Sequence, residues 1–232
     1  IIIKEKPDVL LPTLGGQTAL NLGFRLRERG LPVLGTTIAD IARAEDRFLF
    51  ESLLSQLNIP RPAGATVSSL DEGVQSAQRL GYPLLMRPSY VLGGRAMRIV
   101  YEEAELQTHL SHALRACPGQ PVLLDRYLMG TEVEVDALCD GRDIFIPGII
   151  EHIEQAGVHS GDSIGVYPPQ WLQSAQVETV IDYTRRLACA LGVRGLINLQ
   201  FVLYEGRTYV LEVNPRASRT VPFLSKVTGL PL

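Results

Sequence analysis

Hydrophobic and polar positions are arranged in blocks that predict a mixed α/β protein. The first block has an apolar run at 9–12, an amphipathic stretch at 19–29 closed by Gly30, and a second apolar run at 31–35. Glycine commonly follows the end of a helix, so this block predicts strand, helix and strand, the repeating unit of a parallel sheet. One such unit is too small for a whole doubly wound domain. We therefore interpret residues 1–40 as a partial Rossmann-like α/β unit.

The remaining pattern predicts two further parts, 41–121 and 122–232, and the α/β (α+β) fold class. The first part begins with a helix over 41–57, which links it to the preceding unit. Its periodicity then predicts strands at 65–67, 83–87 and 96–101 and helices at 70–80 and 103–115. The second part is strand-rich, with strands predicted at 122–125, 132–139, 143–151, 196–203 and 208–213 and one helix at 175–191.

The last two predicted strands are joined by the short turn Glu205-Gly206-Arg207 and should form a hairpin. A register symmetric about Gly206 would place Val202 opposite Val210, Gln200 opposite Glu212 and Asn198 opposite Asn214. With a side-chain period of two, the polar members of these pairs share one face of the sheet. A carboxylate among carboxamides in otherwise apolar strands indicates a bound Mg²⁺, which prefers hard oxygen ligands. The alternative is a polar sheet end with a salt-bridged glutamate.

Arginines follow directly, in the segment Asn214-Pro215-Arg216-Ala217-Ser218-Arg219. Guanidinium groups match phosphate and carboxylate oxygens in shape and charge, and a metal beside arginines is the usual arrangement for phosphoryl transfer. Gly93 and Gly94, between two predicted strands, would let backbone N–H groups approach an anion, although an ordinary tight hairpin also explains them. Gly15 and Gly16 form no dinucleotide fingerprint, and we assign them to turn geometry or domain packing.

Several other chemistries find no support in the pattern. The polar segment 151–163 contains His152 and His159, but its spacing matches no zinc motif, and we expect a loop that closes on a ligand. No Ser/His/Asp or Cys/His arrangement indicates a covalent nucleophile. The net charge of −3 gives no general attraction to nucleic acid.

The cellular setting follows from the cysteines and the N-terminus. Three widely spaced cysteines predict neither disulfides nor a zinc site, which fits a cytoplasmic protein. No apolar run reaches the length of a membrane span, and the charged residues 4–6 argue against a signal peptide. A start without Met inside an apolar run indicates a trimmed N-terminus.

Five phrases together resemble the ATP-grasp family, and within it the large chains of carbamoyl-phosphate synthetases. They are AEDR at 44–47, RPSYVLGGRAM at 87–97, EHIEQAGVHSGDS at 151–163, NLQF at 198–201 and EVNPRASRTVPF at 212–223. Such large chains contain two homologous halves, one that activates bicarbonate and one that phosphorylates carbamate. The second and third phrases resemble the carbamate half, whereas LPTLGGQTALN at 11–21 is more similar to the bicarbonate half.

The resemblance implies ATP held between a small lid and a larger sheet, with Mg²⁺ or Mn²⁺. The divalent-metal ligands it implies are Gln200, Glu212 and Asn214, of which Gln200 and Glu212 also bind the nucleotide. It implies that Arg216 and Arg219, with Asn214, hold substrate and developing phosphate charge. Further residues implied to bind the nucleotide are Arg47, Arg87, Gly93, Gly94, Arg126, Tyr127, Leu128, Glu132, Gly157, Val158, His159 and Ser160.

The implied reaction is attack of a carbamate oxygen on the γ-phosphoryl group of MgATP, giving carbamoyl phosphate and ADP for pyrimidine and arginine biosynthesis. The implied partners of a full enzyme are a glutaminase small chain and the other ATP-grasp half, with no nucleic acid and no membrane. Three alternatives remain open: bicarbonate activation, another carboxylate–amine ligase, and a nucleotide-binding fragment without turnover.

Overall fold

The computed structural model describes residues 2–88, 97–157 and 163–232, which form two compact units. Unit 1 comprises 1–60, 131–154 and 164–232, and unit 2 comprises 61–130 and 155–163. The division of the sequence at residues 40 and 121 stays a prediction. Among the described residues, no helix is long and apolar enough to cross a membrane.

Unit 1 begins with short elements and one long helix. Helix α1 (Ile2–Glu5) and a 3₁₀ turn (Pro12–Leu14) precede α2 (Gly16–Glu28). The two strands predicted on either side of α2 are reduced to a single parallel bridge between Leu10 and Val33. The bridged residues lie before and after α2 and run parallel, which is the strand–helix–strand order expected of a Rossmann-like unit. Gly16 has a φ of +68°, which agrees with the predicted turn before the helix.

The single helix predicted over 41–57 is wrong, because two helices occupy this stretch. They are α3 (Ile38–Glu45) and α4 (Arg47–Gln56). Asp46 between them has an extended backbone, and its carboxylate accepts a hydrogen bond from the Leu49 N–H at 2.9 Å. Aspartate is a favourable N-cap, so this residue ends one helix and starts the next.

The sheet of unit 1 has five strands in the order β7-β6-β5-β8-β9. They are β5 (Thr131–Asp140), β6 (Ile144–Gln155), β7 (Gly165–Val166), β8 (Arg194–Tyr204) and β9 (Arg207–Asn214). Helix α7 (Ser174–Ala190) contributes Val180, Leu187 and Ala188 to the hydrophobic core with one face of the sheet. That apolar face includes Val133, Val135, Leu199 and Phe201, so the opposite face is available for polar side chains.

Helix α8 (Val221–Thr228) closes unit 1 and was not predicted. Pro222 in its first turn and Gly229 just after it, with a φ of +72°, are the signals that would have indicated it. Strand β6 also continues to Gln155, so residues 152–155 are strand rather than the loop we expected from the 151–163 segment.

Unit 2 is a four-stranded sheet in the order β1-β4-β2-β3, covered by two helices. The strands are β1 (Gly64–Val67), β2 (Leu84–Pro88), β3 (Arg98–Val100) and β4 (Val122–Arg126), and the helices are α5 (Leu70–Leu80) and α6 (Glu103–Ala116). Leu84, Leu106, Leu110 and Leu124 are fully buried in its core. Strands β2 and β3 pair antiparallel, as the predicted hairpin requires.

Candidate functional site

The β8–β9 hairpin turns on two residues, Glu205 and Gly206, with φ values of +48° and +74°. Two successive positive φ angles define the tight turn that matches the twist of paired strands. The turn places Tyr204 opposite Arg207 and Val202 opposite Tyr209. The predicted pairing of Val202 with Val210 is therefore wrong by one residue.

A β-bulge then corrects the register farther from the turn. Phe201 pairs with Val210 but Gln200 pairs with Glu212, so Leu211 is the extra residue on β9. Because of this residue, Val210 and Val213 both contribute to the hydrophobic core. The predicted pairs Gln200–Glu212 and Asn198–Asn214 are confirmed.

Hydrogen bonds join Asn214 to Glu212 and to Asn198 on one face of the sheet. The Asn214 Nδ2 donates to Glu212 Oε1 at 2.9 Å and lies 3.5 Å from Asn198 Oδ1. Glu212 is exposed, whereas Asn198 is only 2% exposed. One carboxylate and the amide oxygens of Gln200 and Asn214 therefore lie at neighbouring positions on two strands, a donor set of the hard kind that suits Mg²⁺.

The same face continues across β5 and β6 with residues that the sequence did not single out as a cluster. Glu132, Glu134 and Asp136 alternate along β5 opposite Val202, Gln200 and Asn198. The Asn198 Nδ2 donates to Glu134 Oε1 at 2.7 Å and to Asp136 Oδ1 at 3.1 Å. His152 on β6 has its Nε2 3.4 Å from Glu134 Oε2. The alternation in Glu-Val-Glu-Val-Asp is visible in the sequence, but it equally describes a solvated sheet face.

Burial shifts the pKa values of the ionisable groups in this cluster, and the hydrogen-bond and charge partners of each group add further shifts. Burial would raise the pKa of Glu134, but hydrogen bonds from His152, Asn198 and Thr220 hold it below its ordinary value. Burial raises the pKa of Asp136, and the negative charge of Glu134 adds to the increase, while hydroxyl groups oppose it. Burial would lower the pKa of His152, but Glu134 and Glu132 raise it above its ordinary value. A charged His152 beside an ionised Glu134 is the arrangement these directions favour.

The segment after β9 carries Arg216, whose guanidinium group has several partners within unit 1. Its Nη2 donates to Asn214 Oδ1 at 3.3 Å, its Nη1 to the Ala217 carbonyl at 3.1 Å and its Nε to Gln17 Oε1 at 3.3 Å. The Ala217 N–H also donates to the Thr13 carbonyl at 2.8 Å. The Gly15-Gly16-Gln17 motif, assigned from sequence to turn or packing, therefore also touches the arginine segment. Arg219 in the same segment is exposed.

Two more predicted nucleotide residues lie in unit 1. Glu132 is buried, and its Oε1 lies 3.9 Å from His152 Nδ1. Arg47 starts helix α4, and its Nε lies 2.7 Å from Glu51 Oε1, one helical turn away. The Glu132 carboxylate belongs to the polar sheet face, whereas Arg47 begins a helix whose Leu53 and Leu54 belong to the hydrophobic core that includes the apolar face of the sheet.

In unit 2, Arg87 is held by a carboxylate that we did not predict. Its Nη2 lies 2.5 Å from Oδ2 of the buried Asp125 on the adjacent strand. The Nε of Arg87 is buried and has no hydrogen-bond partner among the residues that the structure describes. A guanidinium group fixed at one end by a carboxylate can present its remaining N–H groups to an anion in a defined direction.

Three adjacent residues that we predicted to bind the nucleotide, 126–128, have partners or are buried within unit 2. The Arg126 Nη1 donates to the Leu80 carbonyl at 3.0 Å, the Tyr127 hydroxyl donates to the Ala156 carbonyl, and Leu128 is buried. Gly157 has a φ of +102°, and a Cβ there would lie 2.9 Å from the Tyr127 ring. The remaining predicted residues, Gly93, Gly94, Val158, His159 and Ser160, lie outside the described residues.

No group of three or more His, Cys, Asp or Glu side chains that could hold a metal occurs in the described part of the chain. The expectation that the 151–163 segment holds no zinc stays a prediction, because residues 158–162 lie outside the described part of the chain. The candidate metal ligands differ from such a group because two of them are carboxamides.

The fold is shared with solved ATP-grasp enzymes. D-alanyl-alanine synthetase A from Vibrio cholerae matches with a TM-score of 0.77 at 18% identity, over 96% of this chain and 72% of that one. Biotin carboxylase from Campylobacter jejuni matches with a TM-score of 0.81 at 16% identity, over 99% of this chain and 53% of that one. The biotin carboxylase domain of Hydrogenobacter thermophilus 2-oxoglutarate carboxylase, solved with MgADP and bicarbonate, gives 0.81 at 22% identity, over 98% and 52%. The chain spans only about half the length of the last two.

Two family models match the sequence. "Carbamoyl phosphate synthase preATP-grasp domain" matches residues 1–43, and "Carbamoyl-phosphate synthase L chain, ATP binding domain" matches residues 46–232. The second match includes the polar hairpin face and the arginine segment, and it extends over far more than half of the chain. The chain therefore belongs to the family of carbamoyl-phosphate synthase large-chain ATP-binding domains, which have the ATP-grasp fold.

Proposed function

We propose that this chain transfers the γ-phosphoryl group of MgATP to carbamate, giving carbamoyl phosphate and ADP, as part of a carbamoyl-phosphate synthase large chain. One observation carries the proposal: the Gln200–Glu212 and Asn198–Asn214 pairs of an ATP-grasp domain lie on one sheet face, and Arg216 is hydrogen-bonded to Asn214. The choice of carbamate rests on the phrases at 87–97 and 151–163 and is tested below.

The donor chemistry of the hairpin fits Mg²⁺, with Mn²⁺ as a possible substitute. Gln200, Glu212 and Asn214 would hold the ion through oxygen atoms, and Mg²⁺ commonly uses one or two carboxylates together with phosphate oxygens. A bound divalent cation neutralises the charge of the β- and γ-phosphates during transfer. The Asn214–Glu212 hydrogen bond keeps two of the proposed ligands at a fixed separation before the ion binds.

Arg216 and Arg219 would bind carbamate and the transferring phosphoryl group. Carbamate is an anion whose oxygen attacks phosphorus directly, so no proton has to be removed and no strong general base is needed. The contacts of Arg216 with Asn214 and Gln17 hold its guanidinium group before substrate arrives. Such preorganised charge is the main protein contribution to phosphoryl transfer.

The residues proposed to bind the nucleotide are those that the family resemblance implies: Arg47, Arg87, Gly93, Gly94, Arg126, Tyr127, Leu128, Glu132, Gly157, Val158, His159, Ser160, Gln200 and Glu212. We further propose a cytoplasmic enzyme of pyrimidine and arginine biosynthesis, working with a glutaminase chain and a second ATP-grasp half.

The reverse reaction gives the sharpest test. Purified chain is incubated with carbamoyl phosphate and MgADP, and ATP is measured by luminescence. Protein-dependent ATP formation is the expected result, and its absence in protein that binds MgADP by calorimetry would overturn the proposed turnover and leave a nucleotide-binding piece.

A second candidate, activation of bicarbonate, is favoured by the segment at 11–21. Thr13 and Gln17 of this segment contact Ala217 and Arg216 directly. A bicarbonate-activating domain would hydrolyse ATP faster when bicarbonate is added and would not form ATP from carbamoyl phosphate. Measuring both activities on the same preparation separates the two functions.

A further inference from the structure

The arginine segment is tied to the sheet by the two hydroxyl groups beside Arg219. The Ser218 Oγ donates to Asp136 Oδ2 at 2.8 Å, and the Thr220 Oγ1 lies 2.5 Å from the same oxygen and 3.0 Å from Glu134 Oε1. The Ser218 Oγ also accepts the Thr220 N–H at 3.0 Å. Side chains of the segment therefore converge on one carboxylate of β5.

We propose that Asp136 is a positioning residue, which fixes the segment from Arg216 to Thr220 so that its arginines are held for phosphoryl transfer. This inference rests on the proposed function for its catalytic consequence. The tether itself is a property of the fold that can be measured independently.

If Asp136 had a purely structural role, an apolar residue at this position would be buried at a lower free-energy cost. Asp136 is 1% exposed and stands in a strand whose other face is Val133, Val135 and Ala137. A buried carboxylate costs free energy unless hydrogen bonds compensate it, and an apolar replacement is often neutral or stabilising. The bonds that compensate Asp136 come from Ser218, Thr220 and Asn198, so the residue is stabilised by the segment that it holds.

Asp136 also reaches the proposed metal strand through Asn198. Asn198 donates to Asp136 at 3.1 Å, and its own Oδ1 lies 3.5 Å from Asn214 Nδ2. Asn214 in turn accepts from Arg216 at 3.3 Å. One buried carboxylate thus connects by hydrogen bonds to both the arginine segment and the strand with the metal ligands, so its loss should misplace both.

The experiment compares Thr220→Val, which removes the hydroxyl group at nearly constant volume, with Thr220→Ser, which keeps it. Asp136→Asn is the third variant. Thr184→Val is the matched control, since it also removes a buried hydroxyl group, one that donates to the Val180 carbonyl inside α7. Two quantities are measured: hydrogen exchange of the amides in 216–220, and kcat and KM for ATP formation from carbamoyl phosphate and MgADP.

We expect Thr220→Val and Asp136→Asn to exchange the 216–220 amides faster than wild type and to lose about 10- to 100-fold in kcat, with KM for MgADP within about 3-fold. Thr220→Ser should recover most of kcat, and Thr184→Val should leave both the exchange and kcat near wild type. Unchanged exchange in Thr220→Val and Asp136→Asn overturns the tether. A loss of kcat in Thr184→Val as large as in Thr220→Val overturns the positioning role. If wild type forms no ATP, the proposed turnover fails, and the exchange rates alone decide the tether.

Discussion

Replacing Asn198 by alanine removes the amide that lies between two buried carboxylates. Asn198, Glu134 and Asp136 are 2%, 4% and 1% exposed. The Asn198 Nδ2 donates to both acids, at 2.7 and 3.1 Å. A hydrogen bond to a charged group contributes about 1.5–3 kcal/mol to stability. The variant loses two such bonds, but Glu134 keeps its hydrogen bonds with His152 and Thr220, which limits the loss. We therefore expect the free energy of unfolding to fall by about 3–5 kcal/mol.

Asn198→Asp should lower the free energy of unfolding by more than Asn198→Ala at pH 7, because it places a third carboxylate beside the first two. This destabilisation should become smaller on acidification, since a proton on any of the three acids restores a hydrogen-bond donor and removes a charge. The third variant, Asn21→Ala, changes an exposed amide of α2 and should stay within about 0.5 kcal/mol of wild type.

Urea unfolding at pH 7 and pH 5.5 measures these differences. Circular dichroism follows the transition, because Trp171, the only tryptophan of the sequence, is 66% exposed and its fluorescence would change little on unfolding. A loss below about 1 kcal/mol in Asn198→Ala, or an Asn198→Asp variant as stable as Asn198→Ala at pH 7, would refute the reasoning that this amide compensates the two acids.

Further predictions concern other parts of the two units. The pKa of His152 is raised above 6.5, so its charge stabilises the fold below pH 6.5 and this contribution is lost as the pH rises through the folded-state pKa. His152→Gln should flatten the decline of unfolding free energy above pH 6.5, and an unchanged pH slope in urea unfolding would contradict this. Asp125→Asn should weaken MgADP binding about 5- to 10-fold by calorimetry, because Arg87 loses its charged partner; an unaltered Kd would show that the pair does not orient the arginine. Gly157→Ala should lower the free energy of unfolding by about 2–3 kcal/mol, because this position has a positive φ and the new Cβ also clashes with the Tyr127 ring. Gly206→Ala has a positive φ but no such clash, and it should lower the free energy of unfolding by only about 1–2 kcal/mol. Equal shifts of the thermal midpoint in the two variants would show that the clash contributes nothing.

The candidate site was predictable in part because its polar residues interrupt apolar strands. Gln200, Glu212 and Asn214 stand out against Leu, Ile and Val, and the glycine turn fixes which strands pair. The actual register, however, depends on the bulge at Leu211, and two adjacent apolar residues such as Val210 and Leu211 give no local sign of a bulge.

Long-range packing accounts for what was missed. Glu134 and Asp136 alternate with valines as solvated residues would, and only the return of Ser218 and Thr220 to β5 shows that they are buried. The break at Asp46 was missed because the apolar period continues from α3 into α4, although the N-cap residue itself is visible in the sequence. Partners such as Asp125 for Arg87 lie on a different strand, and their pairing follows from sheet order rather than from spacing.

The most direct measurement of the central claim is ATP formation from carbamoyl phosphate and ADP by wild type and by Glu212→Gln over a range of Mg²⁺ concentrations. The substitution keeps the size of the side chain and removes the one carboxylate of the proposed ligand set. The account predicts Mg²⁺-dependent ATP formation by wild type and a loss of at least about 100-fold in Glu212→Gln, with an unchanged circular dichroism spectrum. A near-normal rate in Glu212→Gln would contradict the metal site, and a wild type that forms no ATP would contradict carbamate phosphorylation by this chain.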